Sequence, residues 1–175
     1  DTITVSGVVN GDVYAMGSSV TVDGLINGDL IAAAGIVTIL GEVGDDVRVG
    51  AGNVLINGTV GKNITIGAGK LIISQEARIG GSTLVFAGTT EIKGLIGKDA
   101  NLYTAKALID GPINGDLKGA MEKLILTQDA VISGNLEYES KNPAEIDEEA
   151  VIIGETLRKA PKEISQRQKI TLASA

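Results

Sequence analysis

Residues of one chemical kind recur at near-constant spacing along this chain: Asp12, Asp29, Asp46, Asn63, Asp99, Asp116 and Asn135. If the positions stack in space, their carboxylates could share hard divalent cations, which take oxygen ligands. The same residue types also hydrogen-bond the backbone of their own corner, as in Asx-turns. Asn63 and Asn135 keep that turn chemistry without the charge. The column is therefore read as turn-capping, and a cation ladder of Asp12, Asp29, Asp46, Asp99 and Asp116 is the weaker alternative. Arg48, Lys62 and Lys98 stand close by in sequence and are expected to relieve repulsion between stacked acids.

Other constellations point to less. Thr4, Thr21 and Thr38 form a threonine column of the kind used to bind ice. The column then turns into Leu55, Ile72 and Glu91, so solvent-facing strand propensity explains it better. Acid pairs such as Asp45/Asp46 and Glu148/Glu149 read as solvated charge. Gly50-Ala51-Gly52 and Gly67-Ala68-Gly69 imitate phosphate loops, but they precede strands instead of helices and are read as corners. The chain has no His and no Cys, which excludes imidazole and thiolate chemistry. No catalytic residue, cofactor or resident metal is expected, and the chain is read as a non-enzyme.

What must position these columns is a repeat. Four ungapped segments of 17 residues follow one another: Ile3–Ser19, Val20–Ile36, Val37–Asn53 and Val54–Lys70. Leu71–Thr89 is two residues longer, Thr90–Lys106 and Ala107–Lys123 return to 17, and Leu124 to about Pro143 and Ala144 to about Leu157 complete the series. Each begins with an alternating strand such as Val20-Thr21-Val22. Glycine follows two residues later, at Gly7, Gly24, Gly41, Gly58, Gly94 and Gly111. A second strand carries one inward residue: Val9, Ile26, Val43, Val60, Ile79, Ile96 or Ile113. The Asn-Gly-Asp corner comes next, then a third strand with Val13/Ala15, Leu30/Ala32, Val47/Val49 and Ile64/Ile66. Period-2 alternation bounded by glycine means short strands and not helices. One such coil cannot bury its apolar face, so coils must stack about 4.8 Å apart. The expected fold is all-β, a single-stranded parallel β-helix of about 8–9 coils, with insertions blurring the register near Gly80–Phe86 and Asp99–Tyr103.

Composition agrees. Hydrophobic residues make up 43% of the 175, yet only one Phe, three Tyr and no Trp are present, so the core must be aliphatic. Glycines number 24 against 3 prolines, which assigns the turns to glycine. Residues 1–155 hold 10 Lys/Arg against 21 Asp/Glu, a net of −11, whereas residues 156–175 hold 5 against 1, a net of +4. The expected division is a solenoid over 1–157 and a basic tail, cap or linker over 158–175. An acidic body argues against nucleic acid as a partner.

The repeat core V-x-G-x-[VI]-x-G-[DN]-[VL] is matched, with small departures, at Val5–Val13, Val22–Leu30, Ile39–Val47 and Ile56–Ile64. In this it resembles the bactofilins, the bacterial polymer-forming cytoskeletal proteins, over roughly residues 3–157. The resemblance implies a right-handed triangular β-helix that polymerises end to end without nucleotide. It is more specifically similar to the extracytoplasmic branch, in which a signal peptide precedes the solenoid and membrane segments follow it. The expected location is accordingly extracytoplasmic, at the cell surface or membrane, with the cytoplasm as the alternative. The expected partner is the chain itself, with membrane association through flanking segments. Physics points the same way, because the end layer of a solenoid is an open β-edge. Ile3, Val5, Val9 and Val13 are the expected assembly interface. The competing reading is a monomeric cell-surface module that binds polysaccharide or divalent cations.

Overall fold

A computed structural model describes residues 1–162; the expected tail from residue 163 onward lies outside the described residues. Among the described residues every element is a strand and every pairing is parallel, in one sheet of 11 strands and one of nine. Register steps by one coil at a time: Val20 lies against Val37, Val37 against Val54, and Ile26 against Val43. The chain is a β-solenoid of nine layers, one for each strand of the smaller sheet.

The inward residues explain why a coil closes in 17. Along Val13–Val22 the positions that turn from solvent are Val13, Ala15, Gly17, Val20 and Val22. Alternation holds with a period of two, slips by one residue between Gly17 and Val20, and resumes. Pairing to the next layer skips the same spot, passing from Gly17–Ala34 to Ser19–Ile36. The slip is a corner, so the third strand of one coil runs through it into the first strand of the next as one bent 10-residue strand. Three faces result: a first face (Ser19–Val22 and its equivalents), a short second face (Leu25–Ile26) and a third face (Leu30–Ala34). The inward columns are aliphatic and sealed, with Val22, Ile39, Ile56, Ile73, Ile92 and Ile109 each 0% exposed.

The lengthened coils are placed differently from expectation. Near Gly80–Phe86 and Asp99–Tyr103 the ladder is continuous, from Thr83–Ile64 through Ile92–Ile73 and onward to the next layer. The extra residues sit instead at the corner after the first face. There Ala77 N–H closes a turn onto Ser74 O at 3.0 Å, and Ala130 does the same onto Thr127 O at 3.1 Å. A buried alanine anchors each turn, so the insertion bulges outward and the core columns stay in step. A third such turn, Asp147–Ala150, precedes the last described strand, Thr156–Lys159, which pairs with Leu136–Glu139.

Gly50 and Gly67, read from sequence as corners, lie mid-strand on the third face with no side chain to present. Gly52 and Gly69 are the residues at the corner. The first corner needs glycine for a steric reason: a Cβ on Gly58 would stand 1.8 Å from Gly41 O in the layer before.

Two substitutions test the interior. Ile39→Asp buries an unpaired carboxylate and is expected to cost ~3 kcal/mol or more, read as a lower urea midpoint. Thr83 is 0% exposed and its hydroxyl has no hydrogen-bond partner, in a column otherwise filled by residues such as Leu30, Val47, Ile64 and Leu117. Thr83→Val removes an unsatisfied hydroxyl at constant shape and should stabilise by about 1 kcal/mol. An unchanged or lower midpoint would refute that assignment.

Candidate functional site

The corner acids stack as the repeat requires, but each acts on its neighbour's layer and not on its own corner. Asp29 N–H donates to Asp12 Oδ1 at 2.8 Å, Asp46 N–H to Asp29 Oδ1 at 2.9 Å, and Asn63 N–H to Asp46 Oδ1 at 2.9 Å. Ser82 N–H donates to Asn63 Oδ1 at 2.8 Å. The run resumes with Asp116 N–H to Asp99, Asn135 N–H to Asp116 and Glu155 N–H to Asn135, at 2.8, 2.8 and 2.9 Å. The Asx-turn expected within each corner is therefore corrected to an axial staple between successive coils. The physical reason is distance: a layer spacing of about 4.8 Å is within reach of a carboxylate's short arm.

This explains the glycine of the Asn-Gly-Asp motif. A Cβ on Gly28 would lie 2.3 Å from Asp12 Oδ1, one on Gly115 2.1 Å from Asp99 Oδ1, and one on Gly134 2.1 Å from Asp116 Oδ1. Glycine leaves room for the acid arriving from the layer before, and the following Asp reaches to the layer after. Asn serves where charge is absent because its Oδ1 is the same acceptor.

Cations do stand beside the column. Arg48 bridges Asp29 and Asp46 at 3.1 and 3.0 Å, Lys62 holds Asp45 at 2.6 Å, and Lys118 lies 3.4 Å from Asp116. Lys98 makes no ion pair among the described residues; Lys118 takes that place. The Asp46 N–H, with Arg48 adding to it, holds the Asp29 carboxyl below its ordinary range. The Asn135 N–H and then Lys118 do the same for Asp116. Asp45 raises the Lys62 ammonium, and Lys159, 2.5 Å away, lowers Glu137. Among the described residues no group of three or more acids comes together in a way that would hold a metal ion.

Sequence reading missed four side-chain pairs that link neighbouring coils. Ser6 Oγ donates to Asp23 at 2.6 Å, and Ser74 and Thr127 hydroxyls donate likewise to Asn57 and Asp110. Asn27 Nδ2 donates to Asn10 Oδ1 at 2.7 Å. Their signal was present as polar residues one coil apart beside the corners. The Thr4–Thr21–Thr38 column does form, on the outer side of the first face, and continues as Leu55, Ile72 and Glu91.

The expected interface residues gather at one end. Ile3, Val5, Val9 and Val13 are half-buried and pair on one side only, with Val20, Val22, Ile26 and Leu30, each of which is 0% exposed. At the other end Val151, Ile153 and Leu157 are exposed. A cleft on the side of the solenoid, lined by Tyr103, Thr104, Met121, Glu122, Ser140 and Lys141, contains one carboxylate and no acid pair. No described helix is long and apolar enough to cross a membrane. The chain matches no family model, no curated protein and no solved structure.

The staple makes a pair of predictions. Asp29→Asn retains the acceptor and loses only the charge that Arg48 meets, so its Tm should fall less than that of Asp29→Ala, which should drop by about 2–4 °C, the shift expected for one lost hydrogen bond in a chain of this size. Chelator should leave the parent's Tm unchanged. Because the Asp29 and Asp116 carboxyls are held below their unfolded values, their contribution is fully present above about pH 4 and is lost as pH falls below it. Equal acid sensitivity in parent and Asp116→Asn would contradict the staple.

Proposed function

We propose that this chain is a structural scaffold that assembles with copies of itself, end to end, through its terminal layers and without nucleotide. The observation that carries the reading is the end layer. Ile3, Val5, Val9 and Val13 continue columns whose next members are sealed from solvent, and the outer edge of Thr2–Val5 has no partner among the described residues. A layer of the same kind placed on that edge would extend both the backbone ladder and the aliphatic columns without new chemistry. The repeat's resemblance to the bactofilins supports the same reading, and the comparisons with known proteins add nothing to it. Placement outside the cytoplasm and beside a membrane rests on that resemblance alone.

The acids that recur most regularly spend one oxygen on the next layer's backbone, and their second oxygens at Asp29 and Asp46 face Arg48.

Electron microscopy of the purified protein tests the reading directly. The parent should form filaments, and Val5→Lys should abolish them while leaving a folded small species with the parent's β-rich circular dichroism. A parent that stays monomeric at high concentration would favour the binding-module reading instead, and unchanged filaments in Val5→Lys would defeat assembly through this end layer.

A further inference from the structure

The chain holds four Asn-Gly pairs: Asn10-Gly11, Asn27-Gly28, Asn57-Gly58 and Asn114-Gly115. In such a pair the side-chain amide lies open to attack by the next residue's backbone nitrogen, because glycine has no Cβ to hinder the approach. The fold closes this reaction at three of them. Gly28 N–H donates to Gly11 O at 3.0 Å, Gly58 N–H to Ile39 O at 3.1 Å, and Gly115 N–H to Lys98 O at 3.0 Å. Each of these glycines is also pressed against the layer before it, where an added Cβ would stand 2.3, 1.8 or 2.1 Å from the nearest atom. A nitrogen held in this way cannot turn toward its own Asn side chain.

Gly11 differs on both counts. Its N–H has no acceptor among the described residues, the residue is exposed, and an added Cβ would meet nothing within 4 Å. The Asn10 side chain is also set up as an electrophile. Asn27 Nδ2 donates to Asn10 Oδ1 at 2.7 Å, which draws charge from the carbonyl carbon and stabilises the oxyanion that attack would place there.

We infer that Asn10-Gly11 is a self-modifying site, at which Asn10 converts to aspartate and isoaspartate for as long as the first layer is uncovered. The Gly11 nitrogen gives its proton to solvent base and bonds to Asn10 Cγ. The Cγ–Nδ2 bond then breaks, and the nitrogen takes a proton from water and leaves as ammonia. Water opens the resulting five-membered imide at either carbonyl, and both products carry one new carboxylate. No oxidant, metal or second protein takes part.

The isoaspartyl product has one more carbon in its backbone between Val9 and Gly11. It moves Gly11 O and Asp12 Oδ1 away from the Gly28 and Asp29 amides that they serve. It also puts Val9 and Val13 out of step with the columns they head, so a modified end no longer fits a second copy. A copy already seated there would supply Gly11 N–H with an acceptor, as each layer does for the next, and would protect it. These two links to association rest on the proposed end-to-end assembly, whereas the chemistry of the site does not.

The parent is aged in mildly alkaline buffer, dilute enough to stay unassembled, and mapped by peptide mass spectrometry. The Asn10 peptide should gain one mass unit, with isoaspartate as a product, at least ~tenfold faster than the Asn27, Asn57 and Asn114 peptides, whose amides must first be released. Asn10→Gln should abolish the fast gain. In guanidinium the four pairs should react alike. Comparable rates at all four in the folded chain, a faster pair elsewhere, or the same preference for Asn10 in guanidinium would each overturn the inference. The parent is then aged at filament-forming concentration, where the rate at Asn10 should fall to that of the other pairs. Filaments in which Asn10 reacts at the dilute rate would defeat protection by the joint. If no filaments form, the assembly reading fails by itself, and Asn10 must still be the fastest of the four.

Discussion

The inward and corner positions of the described residues are obliged to sit on their own equivalents one layer away. No coil buries its apolar residues by itself, and no strand satisfies its backbone within its own layer, so the stacking of like on like supplies both. A residue that suits the interior must therefore suit a column. That is why Val, Ile and Leu recur where a globular core would mix sizes, and why aromatic rings are confined to the outside or, as with Tyr138, to the last layers. Where a column is broken, as at Thr83, the cost is visible as a hydroxyl without a partner.

The same constraint converts a turn motif into an axial device. Asn-Gly-Asp would serve a single turn well enough. Repeated at layer spacing, its Asp reaches the amide of the next coil and its Gly clears the way for the Asp of the coil before. The two residues are one interaction, read from opposite ends. Acids that look like a line of free charge each hold the next layer's amide, and Arg48 and Lys118 pair with Asp29, Asp46 and Asp116.

Outward positions escape the rule, since only the inner columns and the corners are closed by neighbours. Variation accumulates there: threonine gives way to leucine on the first face, and glycine to aromatic rings on the third. What the outer surface presents is consequently the informative part for association, whereas the interior speaks only of folding. Ends and faces differ in kind. An end offers unpaired backbone and apolar columns together, and a face offers side-chain shape alone.

Period, strand content, inward residues and the aliphatic core were legible in the sequence, because burial at a fixed repeat leaves the same residue types at the same spacing. The longer coils were legible in length, but their bulges were not placed, since only pairing across layers shows that Ser74–Ala77 leaves the ladder while Thr83–Ile92 stays in it. The partner of each corner acid was also hidden: a hydrogen bond to one's own turn and one to the turn above require the same residue. Likewise Gly50 and Gly67 read as corners until the register put them on a face beside Phe86. Residue type is decided by local surroundings, which repeat; which layer a side chain reaches is decided by stacking, which only the tertiary structure contains.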